Sequence, residues 1–269
     1  MSYKTILVQS QPDAASDPAI NLALTVAGMF EAAILGVGAE AFEPATYGYM
    51  DGNLLAAAAD QVDVNLNLAE RRFRERTGDA RHGADWVSSR DYPLDVMARH
   101  ARGADLVVSG RPAPHVSEAK GCTPAGLLMA TGLPLLLAPR SGIELEAKRI
   151  VVAWANRREA NRAISDAMPF LMRAEAVYVV NVCPTDEHDE AGLLEVKRRL
   201  ARHGVAVETE TVSPVHRSLT EDLQATADRH GADLIVTGGY GHSRMREWVL
   251  GGVTEEFLAF SSKYILLSR

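Results

Sequence analysis

A nine-residue segment of this chain occurs twice. Arg102-Gly-Ala-Asp-Leu-Val-Val-Ser-Gly110 returns 128 positions later as His230-Gly-Ala-Asp-Leu-Ile-Val-Thr-Gly238, with conservative exchanges inside the apolar run. Lys4-Thr-Ile-Leu-Val8 is mirrored by Lys148-Arg-Ile-Val-Val152 at an offset of 144, and Pro134-Leu-Leu-Leu-Ala-Pro-Arg140 is answered by Tyr264-Ile-Leu-Leu-Ser-Arg269. Self-similarity of this kind means two copies of one folding unit, so the two halves share one architecture. The fall in offset from 144 to 128 places about sixteen extra residues in the middle of the first copy. A length of 269 residues suits two domains of common size. The expected domains are 1–142 and 143–269, joined by a short polar linker over 141–147.

Each copy alternates strand-like and helix-like segments. In the first, short apolar runs at 5–10, 32–37, 85–89, 104–109 and 133–138 predict strands. Helical patterns fall at 18–30, where Asp17 is placed to cap, and at 54–77, 93–102 and 125–131. The loop 40–53, rich in Gly, Pro and Tyr, holds the extra length, and the basic run at 71–76 suits the negative end of the helix dipole as a solvated surface. The second copy repeats the order more compactly. Its strands are expected at 149–154, 176–182, 206–211, 232–236 and 263–267, and its helices at 158–172, 190–202, 217–230 and 253–260. Such alternation predicts an α/β fold with an open, doubly wound parallel sheet in each half. A ligand then sits at the carboxyl ends of the strands, where the strand order reverses. That rule brings the segment after strand 149–154, Ala155 and Asn156, beside the one after strand 232–236.

The latter is the stretch 237–254, Thr-Gly-Gly-Tyr-Gly-His-Ser-Arg-Met-Arg-Glu-Trp-Val-Leu-Gly-Gly-Val-Thr. Glycine permits positive φ and close approach of a ligand to backbone amides. Amides converging at a helix N-terminus form an anion cradle. The stretch lacks the Gly-Lys-Ser/Thr ending of a Walker loop and the spacing of the dinucleotide fingerprint. Gly238, Gly241 and Gly251 instead stand in the pattern Gly-x2-Gly-x9-Gly, which resembles the ATP-binding signature of the universal stress proteins. Trp154-Ala-Asn-Arg-Arg-Glu-Ala-Asn-Arg-Ala163 and Gly252-Val-Thr-Glu-Glu-Phe257 also look like segments of tandem bacterial members of that family.

The resemblance covers nearly the whole chain. It implies two tandem flavodoxin-like, Rossmann-like domains, each with a five-stranded parallel sheet of order 3-2-1-4-5, helices on both faces and pairing through the last strands. It also implies ATP binding, with Mg²⁺, or in a second branch of the family no nucleotide. Carried over place by place, Gly238 lies near the ribose. Gly241, His242, Gly251, Gly252, Val253 and Thr254 surround the phosphates, and Val182 abuts the adenine. His242, Arg244 and Arg246 add cations within the glycine span, beside Ser243. Two places depart from the family. The nucleoside-binding Asp at the end of the first strand is Ala155, with Asn156 beside it as substitute, and the hydroxyl residue after the last glycine is Gly252. Losing a charged and a neutral hydrogen bond weakens ATP by about 2 to 4 kcal/mol, on the order of 30-fold to 1000-fold.

The first copy departs further. Gly110 answers Gly238, but Ala113, Thr123 and Pro124 stand where Gly241, Gly251 and Gly252 would be, and Arg111-Pro112 and Pro114 stiffen the loop. This half is expected to bind no nucleotide and to act as a built-in partner in an intrachain pseudo-dimer, leaving a further homodimer open.

The formal charge of −7 argues against a nucleic-acid binder, and no apolar stretch is long enough to cross a bilayer. With Cys122 and Cys183 alone, no leader-like N-terminus and no zinc spacing, a cytoplasmic protein is expected. Asp186-Glu-His-Asp-Glu190 reads as an acidic helix start rather than a metal site, Asp105 and Asp233 as turn-forming rather than catalytic, and no nucleophile with base and orienter is present. The sequence therefore reads as a non-enzymatic stress-response module, at most a slow ATPase, that binds adenine nucleotide weakly in its second half. The alternative is a nucleotide-free module for a protein or small ligand.

Overall fold

A computed structural model describes residues 2–42, 52–78, 80–110, 121–139, 144–182, 190–215, 218–239 and 261–269. The chain divides into two compact units, one of Tyr3–Leu133 and the other built on Pro134–Arg269.

The first unit contains β1 (Thr5–Gln9), a 3-10 turn at Ala14–Ser16, α1 (Asp17–Phe30), β2 (Ala33–Ala39) and α2 (Gly52–Thr77). It continues with β3 (Ala84–Ser89), α3 (Pro93–His100), β4 (Leu106–Ser109) and α4 (Pro124–Thr131). The strands run in the order β3-β2-β1-β4, all parallel, with Leu7 level with Leu35 on one side and Val107 on the other. Ile6, Leu7, Val8, Leu106 and Val107 are all fully buried because helices cover both faces, which is why these strands read as continuous apolar runs.

Two glycines let the longest helix close onto this sheet. A Cβ on Gly36 would lie 2.6 Å from the Phe73 ring, and one on Gly38 would lie 2.5 Å from Trp86. The two rings stand 5.3 Å apart and use the space that side chains on β2 would fill. Phe73 is wholly buried. Asp17 does not cap α1: it is the first helical residue, and the capping carboxylate is that of Asp13, which accepts from the Ala15 amide in the turn before. Asp17 instead accepts from Arg72 through two 2.6 Å bonds and from Arg76 at 2.5 Å, so the basic end of α2 is tied to the start of α1. Arg74 and Arg71 pair with Glu70 and Glu75 on α2 itself.

The second unit contains β5 (Leu135–Leu137), β6 (Arg149–Trp154), α5 (Arg158–Leu171), β7 (Ala176–Val182) and α6 (Glu190–Arg202). After these come β8 (Val207–Val212), α7 (Leu219–His230), β9 (Leu234–Gly238) and β10 (Tyr264–Ser268). The strand order is β5-β10-β9-β6-β7-β8. Five of these strands are parallel, and β5 runs antiparallel to β10 with Leu136 opposite Leu266. The last strands of the two sequence copies are thus hydrogen-bonded to each other, and β5 packs with the C-terminal unit. Ser218 accepts from the Glu221 amide to start α7, and Gly231 ends it with φ 63°.

The repeated Gly-Ala-Asp serves one purpose in both copies. The Asp105 carboxylate accepts the backbone amides of Lys4 at 2.7 Å and Thr5 at 3.0 Å. The Asp233 carboxylate accepts those of Glu146 at 2.6 Å and Ala147 at 3.0 Å, and Ala147 takes φ 50° to present its amide. Each aspartate ties the start of its own strand to the start of the neighbouring first strand.

Gly36→Val is expected to drive a side chain into the buried Phe73 ring and to lower stability by about 1–3 kcal/mol. Urea denaturation monitored by tryptophan fluorescence would measure the loss as a fall in midpoint.

Candidate functional site

In the second unit the strand order reverses between β6 and β9, since β7 follows β6 on one side while β9 lies on the other. Val152 is level with Val236, which brings Trp154 at the end of β6 close to the level of Gly238 at the end of β9. Trp154 is level with Asn181 of β7. The carboxyl edge of the sheet is therefore made by Trp154, Asn181, Thr237 and Gly238. The first three are largely buried, and the Trp154 indole N–H has no hydrogen-bond partner among the described residues.

Only three residues, 155–157, connect β6 to α5. The Arg157 amide donates to the Ala155 carbonyl at 2.6 Å, which folds this connection back sharply, and Ala155 and Asn156 are exposed on it. So short a turn sets the first turn of α5 directly against the end of β9. A Cβ on Gly238 would lie 2.6 Å from the backbone carbon of Glu159 and 2.7 Å from the Ala160 nitrogen. Glycine at 238 is required by this backbone approach. Glu159 is buried at that contact, with Arg158 at 2.8 Å. The Gly239 amide then donates to the Ser268 carbonyl at 2.7 Å, so the chain leaves β9 held against β10.

Of the residues singled out in the sequence, Ala155, Asn156 and Gly238 gather at this edge, together with the backbone of Val182, the last residue of β7. Gly241, His242, Ser243, Arg244, Arg246, Gly251, Gly252, Val253 and Thr254 lie outside the described residues, as do Cys183 and all of the acidic run at 186–190 except Glu190. The structure adds Trp154, Asn181 and Glu159. Their signal in the sequence is a polar or amphipathic residue placed where a buried strand or helix face calls for an apolar one.

The corresponding place in the first unit is built differently. Seven residues, 10–16, join β1 to α1, and a Cβ on Gly110 would meet nothing nearer than 3.6 Å. Thr123, at the position answering Gly251, is the N-cap of α4 and takes the Gly126 amide at 3.0 Å, while Pro124 supplies no amide. Among the described residues, the Gly126 amide is thus taken by a cap and position 124 offers none. Cys122 beside it is a core residue: burial pushes its thiol up to about 12, and Asp95 adds to the effect. A thiol held protonated in this way is a poor nucleophile.

Comparison with known proteins places these features. Residues 146–269 match the Universal stress protein family model. A universal stress protein of Archaeoglobus fulgidus has the same fold, with 13% identity, a TM-score of 0.75 and coverage of 98% of both chains. A candidate universal stress protein of Pseudomonas aeruginosa UCBPP-PA14 follows at 16% identity and TM-score 0.63, over 99% of this chain and 93% of the other. A functionally unknown protein of Pseudomonas aeruginosa PAO1 is similar at 16% identity and TM-score 0.59, over 99% and 92%. No curated protein matches the chain. Among the described residues no helix is long and apolar enough to cross a membrane.

Gly238→Ala is expected to separate α5 from β9 and to cost about 1–3 kcal/mol. Gly110→Ala, with room for its methyl group, should leave stability within about 0.5 kcal/mol of the parent. Paired thermal or urea unfolding of the two variants checks the difference.

Proposed function

We propose that this chain, whose C-terminal half is a universal stress protein domain, binds an adenine nucleotide at the carboxyl edge of that half and serves as a non-enzymatic stress-response module. The observation that carries this reading is the placement of the glycine stretch. Its first glycine, Gly238, is the last residue of β9, at the point where the strand order reverses, which is where open α/β sheets bind their ligands. At Gly238 the backbone of α5 comes so close that no Cβ fits, so this part of the corner is bounded by main chain.

In this reading Gly241, His242, Gly251, Gly252, Val253 and Thr254 offer amides to the phosphates, Gly238 lies by the ribose, and Val182 lies by the base. Mg²⁺ accompanies the phosphates and is held by them and by water. Binding is weak because Ala155 presents no carboxylate to the nucleoside, and exposed Asn156 supplies a neutral amide in its place. In this reading the nucleotide is a signal rather than a substrate. The first half, 1–142, acts as the partner of the second, 143–269. A second reading, a nucleotide-free module that takes a protein or another small ligand, is favoured by the same absence of a carboxylate at Ala155.

Calorimetric titration of the full chain with ATP and Mg²⁺ separates these readings. Heat that saturates in the millimolar range and disappears in Gly241→Val is the expected result. No heat, or equal heat in the variant, would reject the nucleotide reading. Ala155→Asp is expected to tighten ATP by about 10-fold or more, since a hydrogen bond to a charged group contributes roughly 1.5 to 3 kcal/mol.

A further inference from the structure

The repeat places a polar junction at the same point of both copies, where the second helix of the copy meets the first. In the first copy Asp17, the first residue of α1, accepts from Arg72 and Arg76 of α2, and Arg76 also donates to Asn21 at 3.1 Å. In the second copy Asn161 and Ser165 of α5 stand 144 positions after Asp17 and Asn21, the offset that relates the first strands. Here α6 supplies the cation. Arg199 donates to the Asn161 side-chain carbonyl at 2.6 Å and to the Ser165 hydroxyl at 2.8 Å. The carboxylate is gone and the guanidinium is kept, so Arg199 meets no carboxylate among the described residues. Ser165 is exposed, and its hydroxyl donates to the Asn161 backbone carbonyl at 3.0 Å. Arg162, one turn before Ser165, pairs with Asp166 at 2.8 Å and so offsets the charge of that neighbouring carboxylate.

We propose that Ser165 is a phosphorylation site and that Arg199 is the cation that holds its phosphoryl group. The Ser165 hydroxyl oxygen attacks the terminal phosphorus of a nucleoside triphosphate bound to a protein kinase that acts on this chain. The new Oγ–P bond forms as the bond from that phosphorus to the diphosphate oxygen breaks. The hydroxyl proton passes to the base of the kinase, and the nucleoside diphosphate leaves. The product carries about two negative charges and three strong acceptor oxygens, which the paired N–H groups of a guanidinium match. Arg199 already touches the oxygen that becomes the ester oxygen, so the phosphoryl group is added beside its partner. The pair gives the second copy the anion–arginine tie that Asp17 provides in the first, and it fastens α6 to α5. Solvent and salt screen an exposed pair, so the gain in stability is modest and depends on ionic strength. This site stands whether or not nucleotide binds at the carboxyl edge.

The test has two arms, both on the full-length protein. Cleavage by trypsin after Arg162 and Arg173 releases the peptide 163–173, in which Ser165 is the single hydroxyl-bearing residue. Mass spectrometry of this peptide, from the chain recovered from its own cells, is expected to show a form that carries one phosphoryl group. In the second arm phosphoserine is incorporated at position 165 during translation. It is expected to raise the melting temperature by about 2 °C or more over the unmodified chain, and the gain should shrink as salt is added. In Arg199→Gln the same phosphoserine should give no rise. Asn161→Asp returns to Arg199 the carboxylate of the first copy. It should raise the melting temperature of the unmodified chain and remove most of the further gain from phosphoserine. Absence of the phosphorylated peptide, an unchanged melting temperature on phosphoserine incorporation, or an equal rise in Arg199→Gln would overturn the proposal.

Discussion

The tie between an aspartate at the start of one strand and two backbone amides at the start of its neighbour underlies the rest of this structure. In each half the first and fourth strands of the repeat lie side by side, buried on both faces, with almost no polar side chain between them. Apolar packing alone tolerates sliding of one such strand along the other. A carboxylate that accepts two adjacent amides does not, because both bonds are lost when the register changes. Asp105 and Asp233 therefore set where β1 and β6 begin relative to β4 and β9. Everything at the opposite, carboxyl edge inherits that alignment.

From a common frame the two halves then diverge at that edge. In the C-terminal half a three-residue turn presses α5 onto β9 until only glycine fits at 238. In the N-terminal half the connection is seven residues long, a Cβ at Gly110 would meet nothing nearer than 3.6 Å, and the connection lines a cavity together with Glu40 and Asn65. The same connection carries Asp13, whose carboxylate caps the 3-10 turn, and leads into Asp17, the first residue of α1, which holds the basic end of α2. Loop length after the first strand thus separates a tightly packed corner at Gly238 from an open pocket beside Ser10 and Asp13.

Most elements of the fold were legible from hydrophobic periodicity. The strand over 149–154, the strand over 176–182 and the helix over 190–202 coincide with β6, β7 and α6, because each is bounded by a strong local signal. Asp17 was misread as a cap because capping propensity is local, whereas the arginines that claim its carboxylate come from a helix about fifty residues on. The pairing of β5 with β10 was implied by the family resemblance, while periodicity carries no sign of it. A three-residue apolar strand carries the same pattern whichever neighbour it joins. At the site, Ala155, Asn156 and Gly238 were found through spacing, while Trp154, Asn181 and Glu159 became visible only when register and helix packing set them at one edge.

The sequence by itself determined that the chain is a duplicated α/β unit, that its second copy has glycines at 238, 241 and 251 in a spacing that resembles that of the universal stress proteins, and that its first copy keeps only Gly110 of them. Those conclusions rest on residue identities repeated at regular separation, which survive without coordinates. Only the tertiary structure decided why Gly238 must be glycine, what the conserved-looking Gly-Ala-Asp does in each copy, and that the degenerate half holds a cavity of its own. Each of these depends on a distance between segments remote in sequence, between β9 and α5, between β4 and β1, or between β2 and α2, and such distances are set by packing.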